Sequence, residues 1–195
     1  MSLLIRGGYV INPATSMEEN ADVYIEGNEV KEIGKNLKVE ATYEKVAILK
    51  SANMSLGVNT LLELLKKAAL VFAPAGYDME IVEKHHNLKL DAPSGTAIAL
   101  ADSMNEALDG KYNYVYDRSQ VRQQRDKYEI GISAVRGGNI VGEHEVFFCG
   151  QDEVIEFKHT AYSKAVFAKG AVEAAKFLAG KPSGHYDMAD VIAAK

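Results

Sequence analysis

The sequence of 195 residues contains a single cysteine, Cys149, which excludes an intrachain disulfide framework and a multi-cysteine zinc centre. No apolar run approaches the ~20 residues that span a bilayer, and the N-terminus lacks the charged, apolar and small-residue regions of a secretory signal. Positive charge is not in excess. The net charge is -5, so no chain-wide basic field exists to hold nucleic acid. There is no internal repeat and no low-complexity tract. No H-x-H or H-E-x-x-H spacing occurs, and adjacent histidines do not easily chelate one ion, so no metal is expected. What remains is 47% hydrophobic and 25% charged, the balance of an ordinary globular chain. A soluble cytoplasmic protein is expected, with neither membrane nor nucleic acid as partner.

Leu3-Leu4-Ile5, Gly7-Gly8 and Tyr9-Val10-Ile11, closed by Pro13, read as short strands. Val23 and Ile25 alternate with polar neighbours up to Gly27-Asn28, a dipeptide suited to a tight hairpin before Val30 and Ile33. Residues 35–45 are polar and read as a linker. Residues 1–45 are thus expected to form a small β appendage, too short for a sizeable core. From Val46 the pattern strengthens. Val46-Ala47-Ile48-Leu49 predicts a buried strand, and Val58, Leu61, Leu62, Leu65, Ala69 and Phe72 recur at helical spacing. Met79 and Ile81 alternate with polar residues in a strand running into His85-His86. Ala97, Leu100, Ala101, Met104 and Leu108 predict a second helix, stopped by Gly110. Residues 111–127, with Arg118, Arg122, Arg125 and Lys127, read as a mobile surface loop or, alternatively, a basic flap over an acidic ligand. Strands follow at 128–135, 140–149 and 154–159, the last two joined by a turn at 150–153. A third helix with Phe167, Ala171, Ala174 and Leu178 on one face ends at Gly180 and Pro182, and 187–194 can form a short last helix. The order predicts an α+β domain over 46–195, a mostly antiparallel or mixed sheet covered by helices, with one face needing cover from helices or a second subunit.

Chemistry concentrates at 83–97, reading E-K-H-H-N-L-K-L-D-A-P-S-G-T-A. Asp91-Ala92-Pro93-Ser94-Gly95-Thr96 has the grammar of a helix start: Pro93 biases Ala92 away from helix, Ser94 can cap, and Gly95 permits close approach of a ligand. Free N–H groups of Gly95 and Thr96 at the positive end of the helix dipole make a carboxylate or phosphate site. Lys89 can add a full positive charge. Either His85 or His86 can act as general acid. Their side chains point to opposite faces if the strand continues, so that one meets the ligand and the other is structural. Anion clamps plus one acid suit reduction of a conjugated C=N or C=C system bearing carboxylates. The alternative is a commonplace capped helix after a strand, with the histidines serving structure alone. His144 and His159 read as satisfied polar residues of strands, Arg136-Gly137-Gly138-Asn139 first as a turn with a ligand-facing Arg136 as a secondary possibility, and Cys149 as a buried small hydrophobe.

The segment 83–97 resembles the signature of the dihydrodipicolinate reductases, NAD(P)H-dependent enzymes of lysine (diaminopimelate) biosynthesis. The resemblance extends to Asn53-Met54-Ser55-Leu56-Gly57-Val58-Asn59, to the run from Arg136 through Gly137-Gly138-Asn139 to His144, and to Gly170-Ala171-Val172-Glu173-Ala174-Ala175. With Tyr186-Asp187-Met188-Ala189-Asp190-Val191 it covers roughly 46–193. It implies His85 and Lys89 as catalytic residues, His86, Ser94, Gly95 and Thr96 as contacts to a small dicarboxylate, and Ala52, Asn53 and Met54 as backbone near the nicotinamide. It also implies a homotetramer assembled through the sheet. Lys164 departs from it, standing where arginine is expected, which would lose a bidentate contact.

A larger departure concerns the cofactor. The family opens with a Rossmann domain and a glycine-rich phosphate loop, whereas Arg6-Gly7-Gly8-Tyr9 is no dinucleotide fingerprint. Leu4-Ile5-Arg6-Gly7-Gly8, Asn12-Pro13, Ala21-Asp22-Val23-Tyr24-Ile25-Glu26 and Ile33-Gly34 instead resemble the N-terminal strands of dihydropyrimidinase-type amidohydrolases. No barrel or metal motif follows. The expectation is a joined or deleted chain without a complete Rossmann domain, which does not bind NAD(P)H tightly alone. Three functions follow: a reductase-family enzyme or its remnant, a non-catalytic dicarboxylate-binding or oligomerisation module, and, last, an amidohydrolase fragment.

Overall fold

Two amphipathic helices lie along one face of a five-stranded sheet, and that pairing explains most of the apolar pattern after residue 55. The computed structural model describes residues 2–12, 17–38, 46–116 and 118–194, in two compact units, Met1–Ala47 with Pro182–Gly184 and Ile48–Lys181 with His185–Lys195.

In the first unit, β1 (Ser2–Asn12), β2 (Met17–Glu26) and β3 (Glu29–Gly34) form an antiparallel sheet in the order β1-β2-β3. Gly27 has φ +62 in the predicted tight turn, a conformation that costs glycine nothing. The run read as several short pieces is one strand, bulged between Ile5 and Gly8. Buried Asp22 stitches it: its carboxylate accepts from the Gly7 amide at 2.8 Å, the Leu37 amide at 3.0 Å and Arg6 Nη1 at 3.2 Å. Leu37, inside the predicted linker, is buried; Pro13 and residues 39–45 lie outside the described residues.

In the second unit the sheet order is β6-β7-β5-β8-β9, formed by β5 (Asp78–His85), β6 (Asn113–Val115), β7 (Glu129–Arg136), β8 (Gly142–Cys149) and β9 (Val154–Ala161). β7 runs parallel to β5 and to β6, while β5–β8 and β8–β9 are antiparallel. The sheet is thus mixed, and the fold α+β as expected. Helix α1 (Leu56–Phe72) is capped by Ser55, whose Oγ accepts from the Val58 amide, and α2 (Gly95–Ala107) by Ser94. Leu61, Leu65 and Ala69 of α1 and Leu100, Ala101 and Met104 of α2 are buried against Met79, Ile81, Ile130, Ile132, Val146 and Phe148 of the sheet. Burying each large side chain contributes about 1.5–3 kcal/mol. The other sheet face carries cross-strand ion pairs, with Lys84 and Lys158 both on Glu145 at 2.8 and 2.6 Å.

Several expectations are corrected. Residues 111–127 are not simply a loop: 113–115 form β6, and Tyr114 packs on the core with its hydroxyl donating to Asp102 at 2.7 Å. Nor do Arg118 and Arg125 form a flap, because they pair with Glu129 and Glu80 and with Asp78 and Glu80. The strand at 46–49 is β4 (Ala47–Leu49), half-exposed and not buried, since its partner is the short β10 (Gly184–Tyr186) alone. Helix α3 (Ala165–Leu178) buries Gly170 and Ala174, leaving Ala171 exposed. A β-carbon on Gly170 would sit 1.7 Å from the Met54 carbonyl oxygen, so backbone approach sets this face, not apolar size. The tail forms α4 (Met188–Ala193) behind an Asp187/Asp190 capping box.

Candidate active site

The helix-covered face of the sheet changes chemistry at one end. Alternation along β5 puts Met79, Ile81, Glu83 and His85 on that face, all buried. The first two are core; the next two are a carboxylate and an imidazole. Register places Glu83 opposite His144 of β8, and His85 opposite Arg136 of β7. The strand ends at His85, so His85 points inward and half-buried His86 already belongs to the following turn.

Glu83 has no exposed side-chain surface. Its Oε1 accepts from the Ser94 amide at 3.0 Å and Arg136 Nη2 at 2.6 Å, and its Oε2 from Arg136 Nη1 at 2.8 Å. His85 Nδ1 lies 2.6 Å from the same Oε2. Burial alone would raise the carboxyl's pKa. Hydrogen bonds from Arg136, His85 and the Ser94 amide outweigh that and hold it below the ordinary glutamate value. Glu83 is not a candidate on the sequence alone. The one signal for it was its i, i+2 spacing to His85 within a strand. Arg136, placed first in a turn, is the last residue of β7. Its guanidinium faces Glu83 and the Asp91 carbonyl, the latter at 2.7 Å.

Ser94 is 2% exposed. Its amide serves Glu83, and its Oγ accepts from the Ala97 amide at 3.2 Å and lies 3.1 Å from His144 Nε2. Amide and hydroxyl are both engaged within the protein, so Ser94 braces the helix start. The Gly95 and Thr96 amides take no acceptor among the described residues, and Gly95 faces open space. Burial, with a contribution from His85, pushes His144 down to about 4, so it is neutral at pH 7. Its Nδ1 and that of His159 are buried without a hydrogen-bond partner, and the expectation of satisfied strand histidines is corrected accordingly.

Lys89 Nζ lies 2.7 Å from Asp91 Oδ1, with side chains 21% and 57% exposed. The ammonium pulls the Asp91 carboxyl below its usual range. His86 makes no side-chain hydrogen bond among the described residues, though its carbonyl accepts from the Lys89 amide at 3.2 Å. His85, Lys89, Ser94, Gly95 and Thr96 are therefore gathered around one helix start and one turn.

Ala52, Asn53 and Met54 are placed differently. Asn53 Nδ2 donates to Thr96 Oγ1 at 3.0 Å, its Oδ1 accepts from the Ser55 amide at 2.8 Å, and its carbonyl accepts from Asn59 Nδ2 at 2.7 Å. Met54 packs on a small cluster with Ala174, Met188 and Val191. These groups lock the loop to α1, α2 and α3. Cys149 is partly exposed, and burial raises its thiol pKa, so nothing activates it. Lys164 stands exposed before α3.

Residues 57–192 match the family described as "Dihydrodipicolinate reductase, C-terminus". The chain is 54% identical over 154 residues to the 4-hydroxy-tetrahydrodipicolinate reductase of Caldanaerobacter subterraneus subsp. tengcongensis, covering 79% of this chain and 61% of that one. To the protein of that name from Clostridium tetani it is 51% identical over 150 residues, 77% and 58% of the two chains. The chain thus spans about three fifths of the length of these curated relatives. Among solved structures, a dipicolinate-bound dihydrodipicolinate reductase from Paenisporosarcina sp. TG-14 superposes with a TM-score of 0.56 at 22% identity, covering 73% of this chain and 53% of that chain. At that identity the likeness is one of fold.

Proposed function

The chain belongs to the dihydrodipicolinate reductase family, and on that premise we propose that it binds a small cyclic dicarboxylate at the start of α2 and supplies the proton for its reduction in lysine biosynthesis. One observation carries the reading: the buried Glu83 carboxylate contacts both His85 Nδ1 and the Ser94 amide. The candidate acid and the anion-binding helix start are braced on the same group.

In this reading the free Gly95 and Thr96 amides, at the positive end of α2, hold one substrate carboxylate. Lys89 exchanges Asp91 for the ligand and neutralises charge, His86 makes a further contact, and His85 carries the proton. Ser94 keeps the clamp in place. This chain supplies the dicarboxylate site and the proton, and the nicotinamide cofactor of the family would supply the hydride. Engagement of Asn53 and Met54 in packing favours a second reading, a non-catalytic dicarboxylate-binding or assembly module. We extend the proposal to a cytoplasmic homotetramer assembled through the charged sheet face, with weak binding of NADPH by this chain alone.

Calorimetry with pyridine-2,6-dicarboxylate is expected to show binding that weakens in Lys89→Gln. Absence of any heat at millimolar ligand overturns the reading. Nicotinamide fluorescence of NADPH is expected to stay unchanged at micromolar protein.

A further inference from the structure

The location of one proton follows from the packing around β5. Glu83 is ionised, and a carboxylate is an acceptor only. Each of its oxygens has two neighbours: the Ser94 amide and Arg136 Nη2 on Oε1, His85 Nδ1 and Arg136 Nη1 on Oε2. The group can neither rotate nor take another donor. His85 Nδ1, 2.6 Å away, is therefore the donor, and the proton that comes and goes sits on Nε2. That nitrogen has no hydrogen-bond partner among the described residues. Beside it is Gly142, where an added β-carbon would approach to 3.1 Å.

We infer that Glu83 is the positioning residue of this site, fixing His85 as the Nδ1–H tautomer and leaving Nε2 as the proton-carrying atom. The inference rests on the proposed reading of His85 as the acid and goes further, because it names the atom and the group that holds it. Glu83 touches no ligand; it acts through His85. It also explains why the acid and the clamp share a carboxylate. Through Arg136, which binds the Asp91 carbonyl at 2.7 Å, the same group reaches the turn that bears Lys89. Histidine used as acid or base works from one nitrogen while the other is held by a hydrogen bond.

The Glu83→Gln variant makes the inference testable. Its amide keeps one oxygen and replaces the other with a donor. The oxygen stays with the Ser94 amide and Arg136 Nη2, since the opposite placement would turn the NH2 on two fixed donors; the NH2 then faces Arg136 Nη1, which loses its acceptor, and His85 Nδ1, which must accept, so that the proton moves to Nε2. The experiment is a long-range 1H–15N correlation spectrum of the full chain with labelled imidazoles, at a pH where His85 is neutral, the signals being assigned by their loss in His85→Gln. Wild type is expected to show a pyrrole-type Nδ1 and a pyridine-type Nε2. Glu83→Gln is expected to reverse or mix the two. A wild-type spectrum of the Nε2–H form overturns the inference, as does a folded Glu83→Gln protein that keeps Nδ1–H. Should that variant fail to fold, the wild-type spectrum decides, joined by Arg136→Lys, which keeps the carboxylate charged and is expected to retain the Nδ1–H form. Calorimetry with pyridine-2,6-dicarboxylate on the same sample separates the two ideas. Binding with an Nε2–H His85 sinks this inference and leaves the proposed function standing. No binding with an Nδ1–H His85 does the reverse.

Discussion

Arg136 meets Glu83 side-on, Nη1 on Oε2 at 2.8 Å and Nη2 on Oε1 at 2.6 Å, across the parallel pair of β7 and β5. Such a fork gives each carboxylate oxygen a charge-assisted bond and fixes the plane of both groups. Because Glu83 is wholly buried, the cost of taking its charge from water is offset chiefly by this partner, with smaller shares from His85 and the Ser94 amide.

Arg136→Ala is accordingly expected to destabilise the chain by about 3–5 kcal/mol, the usual loss when one half of a buried pair is removed. Arg136→Lys restores charge but not the fork, and falls between. Urea unfolding at neutral pH checks this. The folded pKa of Glu83 is lowered from 4.5, so its contribution is present above about that pH and lost as pH falls through the lower folded value. Arg136→Ala should flatten that acid-side dependence. Equal stabilities for wild type and Arg136→Ala would show that the pair adds nothing.

His144 gives a second pH dependence, higher on the scale. Its pKa is moved from 6.5 to about 4 in the folded protein, so the unfolded chain binds a proton that the folded one refuses. Stability is full above 6.5 and declines as pH falls from there to about 4, by about 3 kcal/mol at 1.36 kcal/mol per unit. His144→Gln is expected to remove this slope, whatever it does to stability at pH 7. Parallel curves for both proteins between pH 7 and 4.5 would contradict the assignment.

Two helical glycines are expected to respond oppositely to alanine. Alanine favours a helix interior, where Gly170 lies, by up to about 1 kcal/mol over glycine, and by less at Gly57, the second residue of α1. At Gly57 the added carbon would meet His159 Cδ2 at 3.4 Å, so Gly57→Ala is expected to be neutral or slightly stabilising. At Gly170 it would lie 1.7 Å from the Met54 carbonyl oxygen, and backbone cannot step aside as a side chain can. There the clash wins, costing about 1–3 kcal/mol or more. Thermal unfolding of the two variants side by side tests the comparison.

Those glycines also show what was legible in the sequence and what was not. Helix α1 announced itself through Val58, Leu61, Leu65 and Ala69, because burial of large side chains repeats with the helical period. The face of α3 was legible only in part: Phe167, Ala174 and Leu178 are buried or half-buried as expected, whereas Gly170 buries without bulk and Ala171 is exposed. β6 is an edge strand of three residues set in a polar stretch, and its pairing depends on Tyr114 reaching the core, a contact no local pattern encodes. The helix-start chemistry at 91–96 is local and was readable. The polar hub was not, because it joins Glu83 to Arg136 and Ser94 to His144, 53 and 50 residues apart. Alternation could pair Glu83 with His85; only the strand register could bring the others.

The pair of Lys89 and Asp91 offers the most direct test of ligand binding. Their 2.7 Å contact gives the ammonium an acidic neighbour that a dicarboxylate ligand must displace. Asp91 is the more exposed partner and Lys89 the more enclosed, so water can take over the Asp91 carboxylate while Lys89 turns to the ligand. A hydrogen bond to a charged group contributes about 1.5–3 kcal/mol, and about 1.4 kcal/mol is tenfold in affinity. Lys89→Gln is therefore expected to weaken pyridine-2,6-dicarboxylate binding by about tenfold or more, whereas Asp91→Asn, which removes the competitor, is expected to tighten it a few-fold. Calorimetry at two salt concentrations measures both, and the difference between the variants should shrink as salt rises. Weaker binding in Asp91→Asn would instead make Asp91 a brace for the turn, and unchanged binding in Lys89→Gln would remove Lys89 from the site.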